Sequence, residues 1–148
     1  VNAGAGDQEV TAEEAERWRQ AALDGNVDAM CNVGLLCYQQ GQLVGSFSAE
    51  RWWSEAASQG HPEAMYNLGL LRHEQERTAG PDSAETWWLA ASRLGHADAM
   101  GNLGVVRSAQ GRLRGVDSAE SWWTKAAAAG NDDAATNLAM LEAEEIRG

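Results

Sequence analysis

Lysine is almost missing from this chain. Its 11 basic residues are ten arginines and Lys125, set against 22 acids, and the formal net charge is −11. A phosphate-binding surface needs clustered Lys and Arg, so nucleic acid is excluded as a partner. The arginine bias fits a GC-rich bacterial genome. Long apolar runs are missing too. None approaches the roughly 18 residues of a membrane span, and no membrane partner is expected. No charged-then-apolar leader opens the sequence, so the default expectation is the cytoplasm. The chain starts at Val1 rather than Met, as an excised or processed piece would. Its two cysteines, Cys31 and Cys37, make no disulfide framework. Six apart on one helix, they lie about 240° around it, so neither a disulfide nor a shared metal site is expected. Cys-x-x-Cys, His-Glu-x-x-His and glycine-rich phosphate loops are all missing. Aromatic usage is lopsided, with seven Trp, two Tyr and one Phe.

That imbalance is positional. Trp18, Trp53, Trp88 and Trp123 are 35 residues apart, as are Gly25, Gly60, Gly95 and Gly130, and Asn32, Asn67, Asn102 and Asn137. Met30, Met65 and Met100 share a slot that becomes Ala135, and Gly34, Gly69 and Gly104 one that becomes Ala139. A fixed period in this range signals stacked units. The expected boundaries are a tail or disordered segment over residues 1–10, then one domain over 11–148. Its repeats fall at about 11–45, 46–80, 81–115 and 116–148.

Each unit reads as two helices. Ala84, Trp88 and Ala91 are spaced i, i+4, i+7, a helical stripe, and Gly95 stops that helix. Asp82 with Glu85, and Asp117 with Glu120, have capping-box spacing. The second helix is predicted from Pro62 to about Arg77, with Met65, Leu68, Gly69 and Arg72 on its core face. Helical glycine costs about 1 kcal/mol against Ala. At Gly34, Gly69 and Gly104 that is tolerable if a neighbouring helix comes close. Trp53, Trp88 and Trp123 are expected in the core opposite small residues rather than caging a cation. Trp52, Trp87 and Trp122 are expected either between repeats or partly exposed on the convex side. His61 and His96 share the helix-start slot of Asn26 and Asn131.

Asn-Leu-Gly after Ala-Met, then Ala-x-x-Trp-Trp-x-x-Ala-Ala and Gly, resembles the Sel1-like repeat (SLR), a branch of the tetratricopeptide-like (TPR-like) helical repeats. The resemblance covers about residues 12–146. An aromatic residue is expected three positions after each Leu-Gly, but Cys37, Arg72, Arg107 and Glu142 stand there. The resemblance implies an all-α fold, a right-handed α-α superhelix (solenoid) of four 35-residue helical hairpins. It also implies a protein-holding role with no chemistry of its own. The helix bearing Leu-Gly would line the concave face.

On that face the candidate binding residues are Asn32, Asn67, Asn102 and Asn137, with Tyr38, Tyr66, Leu70, His73, Glu63 and Asp98. A primary amide donates and accepts, so an Asn column can hold a peptide backbone without reading its sequence. The alternative is that each Asn bonds a neighbouring helix or a turn. Asp28, Glu63, Asp98 and Asp133 offset helix N-terminal charge, and also offer a negative rim to a basic partner. Tyr38, Tyr66 and His73 read as an amphipathic patch or as ordinary groove lining. No catalytic residue, metal site or cofactor is expected, and the chain reads as no enzyme. The function expected is a scaffold or adaptor for a peptide or partner protein. The alternatives are a structural spacer or self-association module, or a regulatory domain of a larger protein. Oligomeric state, monomer or weak dimer, stays open.

Overall fold

The structure, a computed structural model, describes residues 10–77 and 79–147. Apart from Val10, the tail expected over 1–10 lies outside the described residues. Eight α-helices and no strand occur among the described residues. They are α1 (Ala12–Leu23), α2 (Val27–Gln39), α3 (Ala49–Ser58), α4 (Pro62–Glu74), α5 (Ala84–Arg93), α6 (Ala97–Ala109), α7 (Ala119–Ala128) and α8 (Asp132–Arg147). No described helix is long and apolar enough to cross a membrane. The chain divides into two compact units, one ending at Ala56 and one starting at Ala57.

In the first unit α1 and α2 form a hairpin, and the start of α3 lies on α2. Ala15, Ala22, Ala29, Val33, Leu36 and Trp53 are buried there. A Cβ on Gly34 would fall under 3.0 Å from the Trp53 indole, so only a bare Cα admits the ring. The Trp53 N–H donates to the Cys31 carbonyl at 3.2 Å.

The second unit repeats this seat twice. Trp88 occupies the space beside Gly69, and Trp123 the space beside Gly104. Around them Leu68, Leu71 and Leu103 are fully buried, each worth about 1.5–3 kcal/mol of apolar burial. The small stripe Ala84, Ala91, Ala119 and Ala126 lets the helices close on these large groups. Helix α4 stops at Glu74 rather than Arg77. Glu76 turns to φ +57°, and the Arg77 N–H returns to the Arg72 carbonyl at 2.8 Å.

The capping boxes expected at Asp82 and Asp117 are not the caps. Ser83 and Ser118 start α5 and α7, and their hydroxyls accept the N–H of Thr86 and Ser121, each at 3.2 Å. The aspartates are drawn elsewhere. Asp82 Oδ1 accepts from Arg72 at 2.9 Å and from the Trp87 indole at 2.7 Å, while its other oxygen takes Arg77 at 2.7 Å. Asp117 repeats the arrangement with Arg107 at 2.9 Å, Trp122 at 2.7 Å and Arg112 at 2.8 Å. Arg107 also bonds Glu85 at 2.7 Å, tying α6 to α5 and to the loop before α7. Arg72 and Arg107 are buried, and these pairings are what make a buried guanidinium tolerable.

In the first unit the equivalent positions hold Cys37 and Phe47. Both cysteines are buried thiols outside any disulfide, and burial raises the pKa of Cys37. Phe47 meets Trp52 edge-on with ring centres 5.7 Å apart, and the Trp52 N–H is buried with no acceptor among the described residues.

Candidate functional site

Helices α4, α6 and α8 present most of the candidate residues: α4 and α6 bury their Leu-Gly side, α8 half-buries Leu138, and all three leave the Asn half-buried. Their N-termini are set by one residue type per hairpin. His61 Nδ1 accepts the Ala64 N–H at 3.2 Å and His96 Nδ1 the Ala99 N–H at 3.3 Å. Asn131 Oδ1 does the same for Ala134 at 2.7 Å. The histidines are therefore helix caps, as their slot implied. A capping Nδ1 must be unprotonated, which puts the proton of neutral His96 on Nε2. That nitrogen faces Glu63 Oε2 at 2.9 Å. The hydrogen bond from His96 is the first cause of a lowered Glu63 pKa, with burial opposing it. One hairpin further on, Asn131 donates to Asp98 Oδ1 at 2.5 Å. Glu63 and Asp98 thus link consecutive hairpins in addition to lying near helix N-termini.

Above these links a cavity of about 470 Å³ opens between α6 and α8, with Tyr66 of α4 at one side. It brings together Tyr66, Asp98, Asn102 and Asn137 from the candidate set, beside Gly101 and Asp133. No Lys or Arg lines it. Tyr66 stacks on His96 at 4.6 Å between ring centres. Burial raises the Tyr66 pKa first, then the negative charges of Asp98 and Glu63, against a hydrogen bond with Asn102. A smaller hollow of about 160 Å³ joins Leu70, His73, Trp88 and Val105, and Asn102 lines it as well. The amide of Asn102 therefore stands on the divide between a polar and an apolar recess.

The remaining candidates are placed apart from the cavity. Asn67 is half-buried on α4. His73 is exposed, 5.7 Å from the Trp88 ring centre. Glu63 is occupied with His96. Asn32 and Tyr38 belong to α2 in the first unit, where Tyr38 lies 5.6 Å from the Trp53 ring centre. The void at Gly101 was readable in the column Cys31, Tyr66, Gly101, Thr136, where one repeat alone lacks a side chain. The paired role of Asn131 had no signal, since one slot serves both as cap and as donor across hairpins. Among the described residues no group of three or more His, Cys, Asp or Glu is arranged to hold a metal ion.

No protein-family model matches the chain, and no curated protein does. Solved structures do. One is a protective antigen present in uropathogenic Escherichia coli strains displaying an SLR fold, 25% identical with a TM-score of 0.70, over 87% of this chain and 28% of that one. Another is a Sel1 repeat protein from Oxalobacter formigenes, 25% identical with a TM-score of 0.69, over 85% of this chain and 53% of that one. The chain thus spans about a quarter and about half of the length of these two relatives. With its all-helical 35-residue hairpins and this likeness, the chain has the Sel1-like repeat fold.

Proposed function

We propose that the chain is a non-enzymatic scaffold that holds a peptide or partner protein on the Asn-bearing side of its helices, with a preference for basic partners. The observation that carries this reading is the cavity where Asn102 and Asn137 face one space with Tyr66 and Asp98. Two amides, each donor and acceptor, suit a peptide backbone. Carboxylates with no cation among the lining residues suit a positively charged partner and speed its approach. Tyr66 already bonds Asn102 and Asp98 already accepts from Asn131, which favours holding over catalysis.

The test uses a random dodecapeptide library selected on the full chain, with binding of the recovered peptides followed by fluorescence anisotropy. Asn102→Ala with Asn137→Ala is expected to weaken binding at least tenfold with the melting temperature unchanged, and added salt to weaken it further. Full binding by the double variant would overturn the reading.

A second reading rests on α8, which leaves Met140 62% and Ile146 87% exposed. Under it the chain associates with itself through this end helix. Met140→Ser with Ile146→Ser would then lower the mass seen in light scattering at high protein concentration.

A further inference from the structure

The cavity beside Gly101 is lined at one position by a residue without a side chain, which the other repeats do not share. Position 101 is Gly where the equivalent positions hold Cys31, Tyr66 and Thr136. The missing side chain leaves open space on the exposed side of α6. A Cβ there would meet nothing closer than Asn131 at 3.4 Å. The gap is therefore not needed for helix packing, unlike those at Gly69 and Gly104, where an indole fills the space. A helical glycine that no neighbour requires is a stability loss of about 1 kcal/mol with no packing return.

Around the gap the chemistry is one-sided. Asp98 and Asp133 supply carboxylates, Asn102 and Asn137 supply amide oxygens, and Tyr66 supplies an aromatic surface. The volume of about 470 Å³ lies within the range of pockets that enclose a ligand group. A planar cation with several N–H donors matches this set. It can pair with carboxylate in two-pronged fashion, bond amide oxygens with its remaining N–H groups, and lie against a ring.

Building on the scaffold reading, we infer that the Gly101 cavity is a side-chain seat for one arginine of an extended partner segment, held between Asp98 and Asp133 while Asn102 and Asn137 hold the adjoining backbone. The seat makes the interaction selective at one position of the partner, where an amide column alone reads none. The raised Tyr66 pKa, to which the Asp98 and Glu63 charges contribute, agrees with a negative potential at the seat.

The same selected peptides test this, each remade with citrulline at every arginine in turn. Citrulline keeps the size and most donors of arginine and removes its charge. One arginine at a fixed position is expected to lose at least tenfold in affinity on this exchange. Gly101→Thr, which fills the seat with the side chain of the fourth repeat, is expected to abolish that difference at an unchanged melting temperature. Asp133→Asn, an exposed and nearly isosteric change, is expected to shrink it at least threefold even if the threonine variant proves unstable. Peptides that need Asn102 and Asn137 but tolerate citrulline everywhere would overturn the seat and leave the scaffold reading standing. Peptides indifferent to Asn102 and Asn137 would overturn both. Lysine tolerated equally at the fixed position would overturn the planar-cation assignment.

Discussion

The indole of Trp88 rests on the bare Cα of Gly69, in the space where any other residue carries its Cβ. Trp123 stands on Gly104 in the same way. Overfilling a packed site costs about 1–3 kcal/mol, and replacing a helical glycine by alanine returns about 1 kcal/mol. Gly69→Ala and Gly104→Ala are therefore expected to lower stability by up to about 2 kcal/mol in urea unfolding. Gly101→Ala, with its Cβ in ordinary contact with Asn131 at 3.4 Å, is expected to raise it by up to about 1 kcal/mol. Equal shifts at all three positions would remove the distinction between seat and void.

Arg107 is 5% exposed at its side chain and serves Glu85 and Asp117 together. Arg107→Ala takes the guanidinium from Glu85, leaves Asp117 with only Arg112 and Trp122, and is expected to cost about 2–4 kcal/mol. Arg114, paired with Glu120 at the surface, is the control. Arg114→Ala is expected to cost less than about 1 kcal/mol. Urea midpoints for the two variants give the comparison.

Asp117 titrates at about 2 instead of its ordinary 3.8. Burial works to raise it, but hydrogen bonds from Arg107 and Trp122, the Arg107 charge and the Arg112 bond outweigh that. A depressed folded-state pKa adds stability that is complete above about pH 4 and is lost as the pH falls toward 2. The carboxylate is 38% exposed, so screening by solvent holds the contribution to about 1 kcal/mol. Unfolding midpoints from pH 5 to 2.5 are expected to fall less steeply for Asp117→Asn than for the unchanged chain. Parallel curves would assign the acid sensitivity elsewhere.

His96 does the work that Asn26 and Asn131 do in other hairpins, capping the helix that follows. His96→Asn is expected to change stability by less than about 0.5 kcal/mol, and His96→Ala to cost about 1 kcal/mol. Thermal melts at pH 7 separate these outcomes.

Cys37, Phe47 and Trp52 stand where Arg72, Asp82 and Trp87 make their bonded triad. Cys37→Arg alone buries an unpaired charge and is expected to cost about 3 kcal/mol. Combined with Phe47→Asp, which also supplies an acceptor for the Trp52 N–H, it is expected to recover about 1–3 kcal/mol relative to the sum of the single changes. A strictly additive double variant would show that the triad does not transfer between hairpins.

Much of this fold was legible because one period of 35 residues is written without insertions. The glycine and tryptophan columns announced a close approach of helices, and the His61 and His96 slot announced caps. The polar triads were not legible in the same way. Arg72 and Arg107 fall where the resembling family has an aromatic residue, and a place on the core face does not name the partners of a buried guanidinium. Asp82 and Asp117 carried a misleading cap signal because the true caps, Ser83 and Ser118, are adjacent to them. A carboxylate one residue from a helix start is as readily claimed by an arginine ten residues earlier. For the candidate site, the Asn column put Asn102 and Asn137 at equivalent positions of α6 and α8. That they share one hollow depends on the absence of a side chain at Gly101, a property of the fold more than of either amide.

The bonds that join neighbouring helices in the second unit, Arg107 to Glu85, His96 to Glu63 and Asn131 to Asp98, link residues only 22 to 33 apart in the chain. Closing such short loops carries a small entropic cost, so rapid assembly, neighbour by neighbour, is expected. It also means that one hairpin can open while the next stays closed. Backbone amides of α8, which has no hairpin after it among the described residues, are expected to exchange with deuterium before those of α6.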